Sequence, residues 1–145
     1  EIIEAFNKKK LFKDFIAVLR YQGPKAKGMP ELHRLTPILS ILQNNGHKVA
    51  LVTDGRMSGA SGKVPAAIHL SPEASDGGIL SKLKDGDPLV LNAITGELNC
   101  LNEKEVLGRA EAKPPFINQE GLGRELFSNL RNLASSSDNG ASILF

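Results

Sequence analysis

A chain of 145 residues, 41% hydrophobic and 23% charged, has the size and the core material of one ordinary domain. A net charge of +2 and 5% aromatic residues give no basis for a nucleic-acid interface, and no apolar run reaches the roughly 20 residues of a membrane span. The single cysteine, Cys100, excludes an internal disulfide framework and any site built from several cysteines of this chain, so a reduced, cytoplasmic setting is the simpler expectation.

The opening EIIEAFNKKKLF lacks a methionine and is helical in character. Ile2, Ile3, Phe6 and Leu11 fall near helical spacing, and Lys8 to Lys10 lie toward the end where cations suit the macrodipole. The expectation is a piece of a longer protein. DFIAVLRY (14–21) is a continuous apolar run with β-branched residues and reads as a buried strand. QGPKAKGMP (22–30) reads as a Gly/Pro loop. Pro30 then predicts a helix start, with Glu31 in its first turn and Leu32, Leu35, Ile38, Leu39 and Leu42 as its apolar stripe. Pro37 would kink or split that helix, and Asn44-Asn45-Gly46 would stop it. HKVALVT (47–53) reads as a second buried strand, which completes a β-α-β unit.

Beyond it, VPAAIHLSP reads as a short strand and SPEASDGGILSKL gives mixed signals. PLVLNAI and ELNCL flank Thr95-Gly96 as a hairpin. NEKEVLGRA predicts a short helix with Asn102 and Glu105 as a capping box. Pro114-Pro115 is a connector, and 121–134 is an amphipathic helix. The tail SSSDNGASILF begins as a turn, with an apolar end expected to dock as a strand. No internal repeat is present. The reading is α/β, a mixed sheet flanked by helices.

The stretch LVTDGRMSGASGKVP (51–65) carries Gly55, Gly59 and Gly62 among Asp54, Arg56, Ser58, Ser61 and Lys63. It fails the phosphate-loop pattern, because Gly62-Lys63 is followed by Val64 and the residue five before Gly62 is Met57. It fails the nucleophile elbow, because Arg56 and Ala60 flank Ser58, and its glycine spacing is not a dinucleotide fingerprint. What remains is position: a loop after a parallel strand lies where α/β sheets bind ligands. Glycines let backbone N–H groups approach an anion, and Arg56 and Lys63 would balance its charge. From these residues alone, a ligand loop and a structural turn both stay open.

TDGRMSGASGKVPAAIHLSPEA and RYQGPKAKGMPELHRLTP together resemble the two motifs of the dihydroxy-acid dehydratase/6-phosphogluconate dehydratase family. GMPELHRLTP with GASGKVPAA is most similar to the 6-phosphogluconate branch. The resemblance runs from about Asp14 to the DGDPL turn and more loosely to the C-terminus. It implies a hydro-lyase that converts 6-phospho-D-gluconate to 2-dehydro-3-deoxy-6-phospho-D-gluconate in the Entner–Doudoroff pathway. It implies that residues 1–145 are one C-terminal domain, a swivelling β/β/α barrel-like unit. The N-terminal domain, absent from this chain, would bind an iron–sulfur cluster, 4Fe-4S by this reading. Mg²⁺ is the second implied cofactor, and a cytoplasmic homodimer the implied full-length state. Partners would be the phosphorylated acid and the N-terminal domain, with no nucleic acid and no membrane.

Carried over residue by residue, Ser58 matches the family serine proposed as the base at C2. Glu31 matches the glutamate that the family uses as a Mg²⁺ ligand. No cluster ligand carries over, since Cys100 matches no family ligand motif. Arg56 is a candidate for the substrate carboxylate or for anchoring the loop through Asp54, and Asp54 itself reads as a turn or cap residue. The substrate phosphate would need cations: Lys63 first, then Lys25, Lys27, His33 and Arg34. His47 and His69 read as structural, Cys100 as a small core residue, and Met29 and Met57 as packing residues. Two alternatives stand beside this: a related sugar-acid or dihydroxy-acid dehydratase domain, and a non-catalytic ligand-binding module.

Overall fold

The computed structural model describes residues 1–58, 62–115, 120–121 and 123–144. Strand β1 (Phe15–Leu19) pairs in parallel with β2 (Val49–Thr53), Ala17 opposite Leu51, and β3 (Ala66–Ala67) joins the far side of β2, again in parallel. Both expected strands form, but β1 is fully buried only at Ala17. Strand β2 is buried along its whole length, as a central parallel strand covered on both faces should be.

Side chains alternate across this sheet with period two. Ala17, Val49 and Leu51 join Leu39, Leu42 and Val64 in a first core, with Phe15 and Leu19 packed against it. Val52 joins Tyr21, Ala74, Leu80, Leu83 and Val106 in a second core, with Ile16 and Val18 against it. The first core is covered by α1 (Ile2–Asn7), through Ile2 and Phe6, and by α3 (Thr36–Asn44).

The crossover from β1 to β2 departs from the sequence expectation. The loop at 22–30 contains a short helix, α2 (Pro24–Lys27), and the helix expected from Pro30 begins at Thr36 instead. Pro37 therefore lies in the first turn of α3, where a missing N–H costs nothing, and makes no kink. Glu31 is not helical, because its backbone forms an isolated parallel bridge with Arg56. A long-range pairing overrides the local helix signal there.

The expected hairpin forms as β4 (Leu89–Asn92) and β5 (Glu97–Cys100), with Leu91 opposite Leu98. It is a sheet of its own, so the expected mixed sheet is divided into a parallel and an antiparallel one. Among the described residues no barrel closes. SPEASDGGILSKL resolves into two 3-10 turns, Ala74–Asp76 and Ile79–Lys82. Arg20 stitches the end of β1 to this region by donating from Nη1 to the carbonyls of Leu80 (3.3 Å), Ser81 (3.4 Å) and Leu83 (2.8 Å).

Helix α4 (Glu103–Leu107) inserts the fully buried Val106 into the second core. Asn102 precedes it but makes no side-chain cap; its amide donates to Asp87 (3.1 Å) and Glu105 (3.4 Å) instead. Arg109 bridges the same two carboxylates at 2.6 Å and 2.5 Å, tying α4 to the root of the hairpin. Helix α5 (Arg124–Leu133) forms inside the predicted 121–134 but buries no residue, leaving Leu126 72%, Phe127 52% and Leu133 67% exposed. The tail makes a 3-10 turn, Ser137–Asn139, held by a 2.6 Å bond from the Ser71 hydroxyl to Asp138; its described residues form no strand.

Two outcomes follow from this packing. Leu51→Ala, at a fully buried position, should lower unfolding free energy by about 2–5 kcal/mol in a urea titration. Asp87 is held well below the usual carboxylate range, first by the Arg109 bond and then by the Lys84 N–H and Asn102. A depressed carboxyl contributes stability above its ordinary value of 3.8 and loses that contribution as pH falls below it. Asp87→Asn should therefore be less stable than wild type at neutral pH, with the gap closing between roughly pH 5 and pH 2.

Candidate functional site

The site forms where β1 and β2 end. Asp54 follows β2 directly and is fully buried. Its Oδ1 accepts the Gln22 N–H (2.9 Å), and its Oδ2 accepts the N–H groups of Tyr21 (3.0 Å) and Ala74 (2.9 Å). A buried carboxylate is costly unless its lone pairs are satisfied. Three backbone donors supply that here and join three segments far apart in sequence. Asp54 is a cap residue, as its type suggested, but across the fold rather than within a local turn.

Close approach of these segments dictates Gly55. A β-carbon there would lie 2.6 Å from Gln22 Cβ and 3.0 Å from the Gln22 carbonyl oxygen. The Gly55 N–H is taken by Thr53 Oγ1 (3.0 Å), and its carbonyl accepts the His69 N–H (2.9 Å). Gly62 differs, since nothing lies within 4 Å of a β-carbon built there. Gly59, Ala60 and Ser61 fall outside the described residues.

The two sequence motifs meet at Arg56. Its backbone bridges Glu31, its carbonyl accepts the Leu32 N–H (3.3 Å), and its Nε donates to the Met29 carbonyl (2.8 Å). The loop is thus anchored through Met29, not through Asp54, whose described hydrogen bonds all come from backbone N–H groups. Met57 packs on the first core, and Met29 lines a groove with Phe127, Leu130 and Ile143. Both methionines are packing residues, as read. Ser58 follows directly and is half-buried, while the side chains of Glu31 and Arg56 are exposed. The carboxylate, the guanidinium and the hydroxyl come from one bridged pair of strand extensions, at the carboxyl end of a parallel sheet.

Lys63 is placed differently. Its carbonyl accepts the Gln43 side-chain amide (3.0 Å) at the end of α3, and Ala66, three residues on, is level with Leu51. The Lys63 backbone therefore lies toward the amino end of β2, away from Arg56. Lys25 is ion-paired with Asp76 at 2.8 Å, and His33 and Arg34 are exposed. His47 stacks edge-on against Phe12, and the Cys100 thiol donates to Asn102 (3.2 Å) while packing against the second core.

Sequence reasoning missed Glu73. This residue is 4% exposed, and its Oε1 and Oε2 accept the N–H groups of Ala26 (2.8 Å) and Lys25 (3.1 Å). Burial pushes its carboxyl up, the two N–H groups oppose that, and the neighbouring Asp54 and Asp76 push further up. Nothing in the sequence marks it as buried; in the structure it is pressed against Gly23, where a β-carbon would meet Glu73 Oε2 at 2.2 Å. Among the described residues, no group of three His, Cys, Asp or Glu is placed to hold a metal ion.

Asp54→Asn replaces an acceptor oxygen by an amide that faces an N–H group. It should cost roughly 2–4 kcal/mol by denaturant titration, from at least one backbone donor left unpaired. Gly55→Ala should cost about 1–3 kcal/mol by overpacking against Gln22.

Residues 1–141 match the family model described as dihydroxy-acid/6-phosphogluconate dehydratase C-terminal. The chain is 52% identical over 147 residues to the phosphogluconate dehydratase of Rhizobium meliloti (strain 1021), covering 100% of this chain and 24% of that protein. It is 49% identical to the phosphogluconate dehydratase of Escherichia coli (strain K12), over 99% of this chain and 24% of that one. To the dihydroxy-acid dehydratase of Sulfurisphaera tokodaii it is 36% identical, over 99% of this chain and 25% of that protein. It thus spans about a quarter of the length of these curated relatives. The chain belongs to the dihydroxy-acid/6-phosphogluconate dehydratase family, and it is the C-terminal domain of that family.

Proposed function

We propose that this domain is the C-terminal part of a hydro-lyase that converts 6-phospho-D-gluconate to 2-dehydro-3-deoxy-6-phospho-D-gluconate, a step of the Entner–Doudoroff pathway. The observation that carries this reading is the Glu31–Arg56 backbone bridge, which joins the two family motifs beside Ser58. The higher identity to phosphogluconate dehydratases than to a dihydroxy-acid dehydratase supports the phosphorylated substrate.

The chemistry asks for a base at C2 and positive charge on the adjacent carboxylate. That carboxylate is a poor electron sink, so charge develops on it as the proton leaves. Arg56 offers an exposed cation there, with its Nε fixed on Met29. Ser58 is the proposed base that takes the C2 proton through Oγ. The C3–O bond breaks, and the hydroxyl departs as water once it has gained a proton. The C2=C3 enol left behind tautomerises to the 2-keto acid. A serine hydroxyl needs a neighbouring positive charge to favour its alkoxide.

Glu31 fits Mg²⁺ as one ligand rather than as a whole site, because it is a single exposed carboxylate. That suits an ion that commonly takes one or two carboxylates and keeps several waters. Bound there, Mg²⁺ would supply positive charge to the substrate carboxylate. An iron–sulfur cluster does not fit these residues: the chain has one cysteine, half-buried and bonded to Asn102. No step is routed through it, and the proposal assigns the cluster, 4Fe-4S by this reading, to an N-terminal domain of the longer protein. The exposed apolar face of α5 supports a covering partner of that kind. The same reading treats the domain as a swivelling, barrel-like unit of a cytoplasmic homodimer.

The test uses the full-length enzyme, purified without oxygen. Turnover of 6-phosphogluconate should far exceed that of gluconate. Ser58→Ala should lose at least about 100-fold at unchanged iron content, the low end for removing an acid–base group. Lys63→Ala tests the candidate phosphate cation: a KM for the phosphorylated acid raised well beyond about twofold supports that role, and a KM within about twofold, as for an isolated exposed charge, ends it. Equal turnover of both acids, or an active Ser58→Ala enzyme, would overturn the respective assignments.

A further inference from the structure

We infer that Glu73 is a positioning residue for the site, its buried carboxylate fixing through α2 where Glu31 lies against the Ser58 loop. The inference rests on the reading of Glu31 as a cation ligand. Glu73 stands at the far end of the motif that carries Ser58, and hydrogen bonds connect its carboxylate to α2 and its neighbour Ala74 to Asp54.

The first link is the start of α2, whose N–H groups have no partner within the helix. The residue before it, Gly23, has no side chain to cap them. The Glu73 carboxylate takes the Lys25 and Ala26 donors from 48 and 47 residues away, pressed so close that Gly23 has no room for a β-carbon. A local serine or aspartate would cap such a helix without burying a charge. A remote glutamate costs desolvation and couples α2 to the segment after β3.

The second link runs from α2 to Glu31. Gly28 ends the helix at φ 73°, and Met29 follows at φ 53°, a left-handed conformation unusual for a side-chain-bearing residue. The Met29 carbonyl then accepts from Arg56 (2.8 Å), and Glu31 pairs with the Arg56 backbone. Between Ala26 and Glu31, the N–H groups of Lys27, Gly28 and Met29 all donate to the Gly23 carbonyl (3.0, 3.1 and 3.3 Å). The third link is Asp54, which holds the Ala74 N–H next to Glu73 as well as Tyr21 and Gln22. The groups facing Glu73 are Asp54, Asp76 and Lys25, and the Lys25 ammonium is committed to Asp76 at 2.8 Å.

The test is made in the full-length enzyme. Glu73→Gln keeps the shape and removes one of the two acceptors. Hydrogen exchange should rise in 23–31 while that of Val49–Thr53 stays unchanged. Mg²⁺ affinity, measured by calorimetry without turnover, should fall about tenfold or more, the low end for losing a group that orients a metal ligand. Gly23→Ser combined with Glu73→Ala supplies a local cap and the room for it. It should recover thermal stability but not Mg²⁺ affinity. Recovery of both, or Glu73→Gln with unchanged Mg²⁺ affinity, would reduce Glu73 to a helix cap and overturn the inference. Glu31→Gln is the control for the underlying reading. If it leaves Mg²⁺ affinity unchanged, Glu31 is not the ligand and the inference falls with that reading; if Glu31→Gln lowers Mg²⁺ affinity and Glu73→Gln does not, the positioning role alone is overturned.

Discussion

The Asp54 carboxylate is the constraint on which the rest of the site depends. A charge with no exposure to water persists only when its lone pairs are filled, and here backbone N–H groups of Tyr21, Gln22 and Ala74 fill them. Those donors belong to the segments that leave β1 and β3, while Asp54 itself leaves β2. One side chain therefore ties together the exits of all three parallel strands. Gly55 has no β-carbon because the strands exit so close to one another, and Arg56 meets Glu31 because both segments then run side by side.

Beneath that junction lies the packed parallel sheet. Both faces of β2 are covered, by α1 and α3 on one side and by the Leu80, Leu83 and Val106 cluster on the other. Precise placement of exposed groups requires such support, because a loop on a soft scaffold cannot hold a hydroxyl within reach of a carbon-bound proton. The proposed chemistry divides accordingly. This chain offers a hydroxyl, a guanidinium and a carboxylate on a fixed backbone, while its single cysteine is occupied in the packing of the hairpin.

Much of the scaffold was legible in the sequence because it is locally encoded. Continuous apolar runs with β-branched residues gave β1 and β2, and Thr95-Gly96 between two alternating runs gave the hairpin. The failures share one cause, contacts made over long distances in sequence. Pro30-Glu31 carries a good helix-start signal, yet pairing with Arg56 holds it extended. The 22–30 loop hides α2, a helix of four residues whose cap comes from Glu73. Nothing in a single sequence marks a glutamate as buried, so Glu73 was passed over although it stands in the motif that carries Ser58, whereas Ser58 and Glu31 were singled out by resemblance and Arg56 by its charge in the glycine loop. Lys63 shares the glycine loop with Arg56 in sequence, and its carbonyl accepts from Gln43 at the end of α3, a contact that nothing local in the sequence marks.

The central claim, that one buried carboxylate clamps the strand exits, is tested most directly by residue-resolved hydrogen exchange. The amides of Tyr21, Gln22 and Ala74 should exchange together and as slowly as those of Leu51 and Val52 in the sheet centre, opening only with global unfolding. If the three exchange independently, or at the rates of exposed loops, Asp54 does not hold the exits together, and the pairing of Glu31 with Arg56 must have another cause.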